Sequence, residues 1–193
     1  MKEVFLGIDC ATQSSRSVLI DNDGVIYARH TIDLAPVQRG ADGRLTQDPE
    51  SWLTAIDGHV EKALNEAKSQ NLVIAGASIS ATSGTFVLTN LDGEPIAPAA
   101  MYNDGRAANP LARAEKIIGE VDAGAYLFAH TPEFIVAHLT GQPLRSVATD
   151  WSHAMKTGVD LHTKDWSIGA IDTAKKSSIT LPSVVAPGAL LGR

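Results

Sequence analysis

Apolar and polar residues alternate at the start of the chain in a way that predicts three strands. The first apolar run ends near Asp9, a small-residue stretch over 10–15 follows, and Asn22-Asp23-Gly24 separates the second run from the third. An Asp-Gly pair between apolar runs is a strong short-range hairpin signal. The pattern therefore predicts a three-stranded antiparallel meander whose third strand runs from residue 25 to about residue 34.

A helical periodicity follows the meander. Asp48 and Pro49 predict a helix start, because Asp caps free backbone N–H groups and Pro suits the first helical position. His59 lies beside the apolar stripe of this helix and is expected at its surface or rim. Spacings of three and four residues define that stripe, which consists of Trp52, Ile56, Val60, Ala63, Leu64 and Ala67.

The next apolar run, residues 72–80, predicts a buried strand. A strand that rejoins the sheet after a helix is expected to run parallel to its neighbour, through a right-handed crossover. Further along, the pattern predicts a strand over 86–89, a helix over 107–120, and a second helix that Thr131 caps and Gly141 ends. Asp150 is expected to cap another helix. The chain is therefore predicted to be an α/β protein with a mixed sheet and flanking helices.

Composition and charge narrow the function classes. The chain has 193 residues, 44% hydrophobic and 20% charged, and a net charge of −6 without any basic run, which argues against nucleic acid or an anionic membrane as partner. Cys10 is the only cysteine, so no internal disulfide is possible and a reducing compartment is expected. We expect Cys10 to be a small buried hydrophobe. No signal-peptide pattern or membrane-spanning run is present, and a cytoplasmic location is expected.

The turn between the first two predicted strands carries groups that suit phosphate. A turn can present backbone N–H groups and hydroxyls to an anion with little reorganisation. A carboxylate there would repel phosphate unless a divalent cation lies between them, so Asp9 is a candidate Mg²⁺ partner, direct or through water. The alternative is an ordinary hairpin in which Asp and Thr stabilise the turn. The residues concerned are Asp9, Thr12, Ser14, Ser15 and Arg16.

Two later segments also carry candidate ligand groups. Thr82-Ser83-Gly84 and Asn103-Asp104 each follow a predicted strand, and ligands in open α/β sheets lie outside the carboxyl ends of strands. Both segments are therefore expected to border one cleft, where Asn and Asp would offer the donors and acceptors that a polyol needs. The alternative is that Asn103-Asp104-Gly105 is only a turn, which this tripeptide favours.

These motifs resemble those of a known family. Gly7-Ile8-Asp9-x-x-Thr12-x-Ser14-x-Arg16 is similar to the first phosphate motif of the sugar kinase/Hsp70/actin superfamily. Ser83-Gly84-Thr85 and Met101-Tyr102-Asn103-Asp104-x-Arg106 resemble the xylulokinase- and ribulokinase-like branches of the FGGY carbohydrate kinases, most of all the short D-ribulose kinases. The resemblance implies an actin-like, ribonuclease H-like domain. Ala11 departs from the family's usual Gly, and its methyl group would narrow the backbone's approach to phosphate.

The resemblance also implies an activity and the residues that serve it. The activity would be ATP-dependent phosphorylation of a sugar hydroxyl, with a ketopentose such as D-ribulose or D-xylulose as substrate. Asp9 and Thr12 would be the catalytic residues present, with Asp9 holding Mg²⁺. The residues that would contact the phosphates of ATP are Asp9, Thr12, Gln13, Ser14 and Arg16. The residues that would face the sugar are Thr82, Ser83, Gly84, Asn103 and Asp104.

The length of the match leads to one more expectation. Residues 1–193 would be most of the N-terminal, sugar-binding domain, while the family's general base Asp and the C-terminal nucleotide-binding domain would be absent from this chain. Alone, such a fragment is expected to be inactive. Two alternatives are another phosphotransferase or ATPase with an actin-like core, and a catalytically inactive sugar-binding or regulatory module with the same fold, which Ala11 would favour.

Overall fold

The computed structural model describes residues 1–121 and 123–192, which pack as two compact units. Unit 1 consists of residues 1–36 and 50–82, and unit 2 of residues 37–49 and the described chain from 83 onward. The strands are β1 (Lys2–Cys10), β2 (Ser14–Ile20), β3 (Ile26–Asp33), β4 (Gln38–Arg39), β5 (Leu45–Gln47), β6 (Leu72–Ala81), β7 (Phe86–Thr89), β8 (Ala99–Ala100), β9 (Tyr126–His130), β10 (Thr149–Asp150), β11 (Val159–Asp160), β12 (Asp165–Trp166), β13 (Ile179–Thr180) and β14 (Val184–Val185). The helices are α1 (Glu50–Ser69), α2 (Pro110–Ile118), α3 (Thr131–Thr140), α4 (Trp151–Ala154) and α5 (Ile168–Lys176), with 3₁₀ turns at Leu144–Ser146 and Met155–Thr157.

Unit 1 is built on a four-stranded sheet in the order β3-β2-β1-β6. The first three strands form the predicted antiparallel meander, with Asp9 opposite Arg16 and Gly7 opposite Val18. Gly24 has φ +81° in the second turn, a conformation that glycine adopts without steric cost. After α1, β6 returns parallel to β1, as the crossover rule predicts.

The sheet of unit 1 is covered on one face by α1, which contacts all four strands. Alternate β1 residues from Val4 to Cys10 are buried, while alternate residues of β6 are exposed. The prediction of a buried strand over 72–80 is therefore wrong, because α1 covers only one face of β6 and the other face is exposed. Its side chains alternate between the two faces, as those of any half-covered strand do.

The buried face of α1 differs from the predicted stripe at four positions, because Ala55 and His59 are buried while Val60 and Leu64 are not. His59 is fully buried and Leu64 is 57% exposed, so the predictions of a surface histidine and a buried leucine are both wrong. Position 59 lies in line with positions 52, 55, 56 and 63, whereas position 64 has rotated to the flank. Each large apolar side chain buried here contributes about 1.5–3 kcal/mol. The buried residues of α1 are Trp52, Ala55, Ile56, His59, Ala63 and Ala67.

Unit 2 contains a six-stranded sheet in the order β13-β9-β7-β8-β5-β4, together with the small pairs β10–β14 and β11–β12. The strand predicted over 86–89 is β7, and its Phe86 ring stacks on that of Phe128 in β9 with centroids 4.6 Å apart. Helices α2 and α5 contact each other beside this sheet. The core cluster consists of Phe86, Leu88, Ala100, Leu111, Ala114, Ile117, Phe128, Ala170, Ala174 and Ile179.

The helix boundaries of unit 2 follow local capping chemistry. The helix predicted over 107–120 is shorter, because Asn109 caps it through a hydrogen bond from Ala112 N at 2.9 Å. Thr131 is the first residue of α3 and not its cap, since β9 runs directly into the helix. Gly141 ends α3 in the left-handed conformation with φ +66°, as predicted. Asp150 caps α4, as predicted, because its side chain accepts from the N–H groups two and three residues further on.

Within residues 1–121 and 123–192, none of the helices combines the length and the apolar composition that a membrane span requires.

Candidate functional site

Asp9 lies at the carboxyl-terminal end of β1 with an exposed side chain. It stands opposite Arg16 of β2 on one side and Ser80 of β6 on the other. Across the part of the chain that the structure describes, no donor is hydrogen-bonded to the Asp9 carboxylate and no cation is paired with it. This carboxylate is therefore available to an external cation or ligand.

The turn after Asp9 is held by its own backbone and by one buried hydroxyl. Ala11 N donates to Ser14 O at 3.2 Å, and Leu34 N donates to Gln13 O at 2.9 Å. Ser15 is fully buried, and its Oγ donates to Asp9 O at 3.3 Å. Ser15 thus stabilises the turn, whereas the Asp9 carboxylate, to which the hairpin alternative gives that role, stays open.

The predicted phosphate residues differ in exposure. Gln13 and Arg16 are exposed, Thr12 is half-buried, and Ser14 is buried. Asp9 and Arg16 together line an open cleft of about 460 Å³ on the face of the sheet that presents Gly7 and Val18. Thr12, Gln13 and Ser14 lie in the turn beside that cleft, so the structure brings only two of the five predicted residues to its wall.

The same cleft has polar walls that sequence reasoning missed. Arg29 and Thr31 of β3 and Ser78 and Ser80 of β6 line it. Thr31 lies opposite Arg16 in the register, and Arg29 lies opposite Val18, so these side chains share one face of the sheet. Pairing the predicted hairpins residue by residue would have found the two β3 residues. The cleft therefore combines two guanidinium groups, one carboxylate and several hydroxyls.

The donor set of this cleft fits magnesium that is bound mainly through water and phosphate. Mg²⁺ sites of that kind use one or two carboxylates and leave several water ligands in place. Asp9 supplies one such carboxylate. In the described ranges, 1–121 and 123–192, no group of three or more His, Cys, Asp or Glu side chains is placed to hold a metal ion by itself.

Cys10 does not contribute chemistry to this turn. Its side chain is buried, as predicted. Burial and the nearby Asp9 carboxylate raise the pKa of the Cys10 thiol to about 12. The thiolate, which is the reactive form, is therefore not populated at neutral pH.

In unit 2, the structure brings residues 83 and 84 next to the segment that contains Asn103. Tyr102 N donates to Thr85 Oγ1 at 3.0 Å, and a Cβ built on Gly84 would lie 3.7 Å from Tyr102 Cβ. Gly84 has φ +88°, a conformation that L side chains rarely adopt. Thr82, the remaining member of this predicted sugar-binding segment, is the last residue of unit 1.

Both carboxylate oxygens of Asp104 accept hydrogen bonds from protein groups. It is 2% exposed, pairs with Arg106 at 2.8 Å, and accepts from Leu45 N at 3.0 Å. Burial disfavours the charged form, but the hydrogen bonds from Arg106 and Leu45 hold the pKa of Asp104 below its usual value. Asn103, by contrast, is exposed, and its amide has no hydrogen-bond partner among the described residues.

Comparison with known proteins identifies a family whose model matches this chain. Residues 4–121 match the model of the N-terminal domain of the FGGY family of carbohydrate kinases. The xylulose kinase of Staphylococcus epidermidis is 27% identical over 120 residues, which cover 62% of this chain and 24% of that protein. The chain thus spans about a quarter of the length of that curated relative.

Solved structures share the fold over nearly the whole chain. The xylulose kinase of Rhodospirillum rubrum superposes with a TM-score of 0.79 at 16% identity, covering 98% of this chain and 45% of that one. The glycerol kinase of Plasmodium falciparum, solved with ADP, superposes with a TM-score of 0.79 at 15% identity, covering 99% and 44%. These likenesses confirm the predicted actin-like α/β fold.

Proposed function

The chain belongs to the FGGY family of carbohydrate kinases, and from that premise we propose that it serves the phosphorylation of a sugar hydroxyl by ATP. The observation that carries the proposal is the exposed, unpaired carboxylate of Asp9, opposite Arg16 on the open face of the sheet. We further propose that residues 1–193 are most of the sugar-binding N-terminal domain and that a C-terminal nucleotide-binding domain completes the enzyme. The 24% share of the curated relative's length supports this division.

Asp9 would hold magnesium through water, and Arg16 would neutralise charge on the phosphate chain. Magnesium, when bound, supplies charge neutralisation for the phosphates of ATP. Phosphoryl transfer depends on positioning and on this kind of electrostatic stabilisation. Thr12, Gln13 and Ser14 would add hydroxyl, amide and backbone donors from the adjacent turn. A cytoplasmic location stays a prediction.

The sugar would be bound in unit 2 by the turn at residues 83 and 84 and by Asn103. Gly84 allows a ligand to approach the backbone closely, and the unpaired Asn103 amide offers both a donor and an acceptor. We assign Asp104 a different role from the direct sugar contact that the resemblance implies. Its carboxylate positions the Asn103 segment by binding Arg106 and Leu45 N. A ketopentose, D-ribulose or D-xylulose, remains our proposed substrate.

Calorimetry with D-ribulose and D-xylulose tests the sugar site. Asn103→Ala should weaken binding of the preferred sugar by about tenfold, the effect of losing one or two neutral hydrogen bonds. Asn65→Ala is the matched control, since Asn65 is an exposed asparagine of α1 in unit 1 and does not belong to the proposed sugar site. If neither variant changes the sugar affinity, the sugar does not bind at this site.

A second candidate function is a sugar-binding or regulatory module without catalysis. Ala11, which stands where the family usually has Gly, is the observation that favours it, because the added methyl group narrows the backbone's approach to phosphate. The discriminating measurement is sugar affinity with and without MgATP in the longest protein that contains these residues. A kinase should show coupling between the two ligands, whereas the binding module should show none.

A further inference from the structure

Lys156 contacts the turn at residues 83 and 84, although nothing in the sequence indicates it. Its Nζ donates to Ser83 O at 3.4 Å and lies 6.0 Å from the centre of the Tyr102 ring. Its Cδ lies 3.4 Å from the point that a Cβ on Gly84 would occupy. The side chain is exposed, so the ammonium group is open to a ligand at this turn.

The backbone around Lys156 is fixed on both sides. On one side, Thr157 Oγ1 lies 2.8 Å from His130 Nε2 in the buried part of unit 2, and His130 Nδ1 lies 3.0 Å from a carboxylate oxygen of Glu133. On the other side, Ser83 Oγ donates to His153 O at 3.0 Å. The lysine therefore extends from a segment whose position relative to the turn is set by hydrogen bonds.

The positive charge of Lys156 is not balanced by a neighbouring carboxylate. No acidic group lies within ion-pair distance of it among the described residues. The two carboxylates that are buried among the described residues of unit 2 are committed elsewhere, Asp104 to Arg106 and Glu133 to His130. The ammonium group beside the proposed sugar site therefore has no fixed counter-ion within residues 1–121 and 123–192.

We propose that Lys156 is a ligand-contact residue that makes the turn at residues 83 and 84 favour a sugar bearing an anionic group over its neutral counterpart. The inference rests on the proposed sugar site and deepens it. Two sources of such a group are compatible with the chemistry: the phosphate of a phosphorylated sugar, which is the product class of the proposed reaction, and the carboxylate of a sugar acid. An ammonium group pairs with either one by a charge-assisted hydrogen bond.

Isothermal titration calorimetry on the 193-residue chain tests this with three ligands: D-xylulose, D-xylulose 5-phosphate and D-xylonate. We expect at least one of the two anions to bind about five- to tenfold more tightly than D-xylulose, as a partly exposed charge-assisted bond allows. Tighter binding of the phosphate alone identifies the product as the anionic ligand, and tighter binding of D-xylonate identifies a sugar acid. Raising the ionic strength should reduce the preference.

Lys156→Met keeps most of the apolar stem and removes the charge, so it should abolish the preference, while Lys156→Arg should retain most of it. Lys164→Met is the matched control, because Lys164 is an exposed lysine of the same unit that stands over the Trp151 ring at 4.6 Å. Circular dichroism checks that each variant is folded. Equal affinity for all three ligands, or a preference that survives Lys156→Met, overturns the role of Lys156. Failure of all three ligands to bind overturns the proposed sugar site itself.

Discussion

Glu133 shows how a single buried charge is supported in unit 2. The residue is 2% exposed, and burial alone would favour its neutral form. The charge and hydrogen bond of His130, with a further hydrogen bond from Thr149, nevertheless hold the pKa of Glu133 below its usual value. Its carboxylate is therefore ionised at neutral pH, and the His130 ring that it orients also reaches Thr157. Loss of the negative charge would weaken the hydrogen bond that orients this buried ring.

Glu133→Gln should lower the free energy of unfolding by about 2 kcal/mol, because a charge-assisted buried hydrogen bond is replaced by a neutral one. Urea denaturation followed by circular dichroism measures the change. The control is Glu61→Gln, at an exposed position of α1, where a change below about 0.5 kcal/mol is expected. Equal effects of the two substitutions would contradict the account of the buried pair.

His59 makes the stability of unit 1 depend on pH. Its Nδ1 lies 2.8 Å from Ser17 Oγ, its Nε2 is buried without a hydrogen-bond partner among the described residues, and His30 and Lys62 lie close enough to oppose a positive charge. Burial is the largest of the effects that lower the pKa of His59 below 6.5. The unfolded chain therefore takes up a proton that the folded chain resists, so stability is full above pH 6.5 and falls as the pH drops below it.

The predicted slope is at most about 1.4 kcal/mol per pH unit for one histidine. His59→Asn keeps a polar partner for Ser17 but cannot titrate, so its unfolding free energy should change less than that of the native chain between about pH 7.5 and 5.5, the range on either side of an ordinary histidine pKa. His162→Asn, at an exposed site, should follow the native chain. Parallel pH profiles for all three proteins would rule out His59 as the source.

At the same scale, residues that share one local motif were easier to predict than residues that the fold brings together. Asp9 and Arg16 were recognisable because one local motif contains both. The burial of Asp104 was not recognised, although Arg106 two residues later was the available signal. Arg29 reaches its place through the strand register, which pairing of the predicted hairpins would have shown. Lys156 reaches its place through a contact between distant segments, which no local spacing encodes.

At the scale of elements, local chemistry decided which predictions succeeded. The meander was predictable because the turn residues and the period of two agree with each other. The start of α2 was missed, although Asn109-Pro110 is a strong capping signal. The orientation of α1 was harder to predict, because a polar His59 occupies a fully buried position that the apolar pattern assigned to its neighbours.

Gly158 follows the 3₁₀ turn at Met155–Thr157, and Gly169 lies in α5. The two glycines allow the effect of one added methyl group to be compared in different surroundings. Gly158 has φ +127°, and a Cβ there would lie 2.8 Å from Ala170 Cβ, whereas a Cβ on Gly169 would meet nothing within 4 Å. Gly158→Ala should therefore destabilise the chain by about 1–3 kcal/mol through backbone strain and crowding. Gly169→Ala, in the first turn of α5, should stabilise it by about 0.4–1 kcal/mol, because alanine lowers the conformational entropy of the unfolded chain.

Thermal and urea unfolding of the two alanine variants measures this contrast. Opposite signs are expected, since the added methyl group is identical and only its surroundings and the backbone conformation differ. Two variants that both destabilise the chain to a similar extent would show that the left-handed conformation of Gly158 does not determine how α5 is packed.

At the scale of the whole molecule, our expectation for this chain depends on the fraction of each relative's length that it matches. It spans 24% of a curated xylulose kinase and 45% of the Rhodospirillum rubrum chain that it superposes on. In the proposed enzyme, Asp9 and the sugar-binding turn supply one part of the machinery. Closure of a second domain would exclude water from the reacting groups and complete the nucleotide site.

The 193-residue chain alone should therefore bind sugar yet form little or no ADP from MgATP in a coupled assay with D-ribulose or D-xylulose. Its sugar affinity should also be insensitive to MgATP, because in the proposed division the nucleotide is bound by a domain outside residues 1–193. The comparison protein is the product of any longer reading frame that contains these residues, in which Asp9→Asn should remove ADP formation that the native sequence supports. Rapid sugar-dependent ADP formation by the 193-residue chain itself would show that the phosphoryl-transfer machinery is complete within these residues, and the proposed division between two domains would then be wrong.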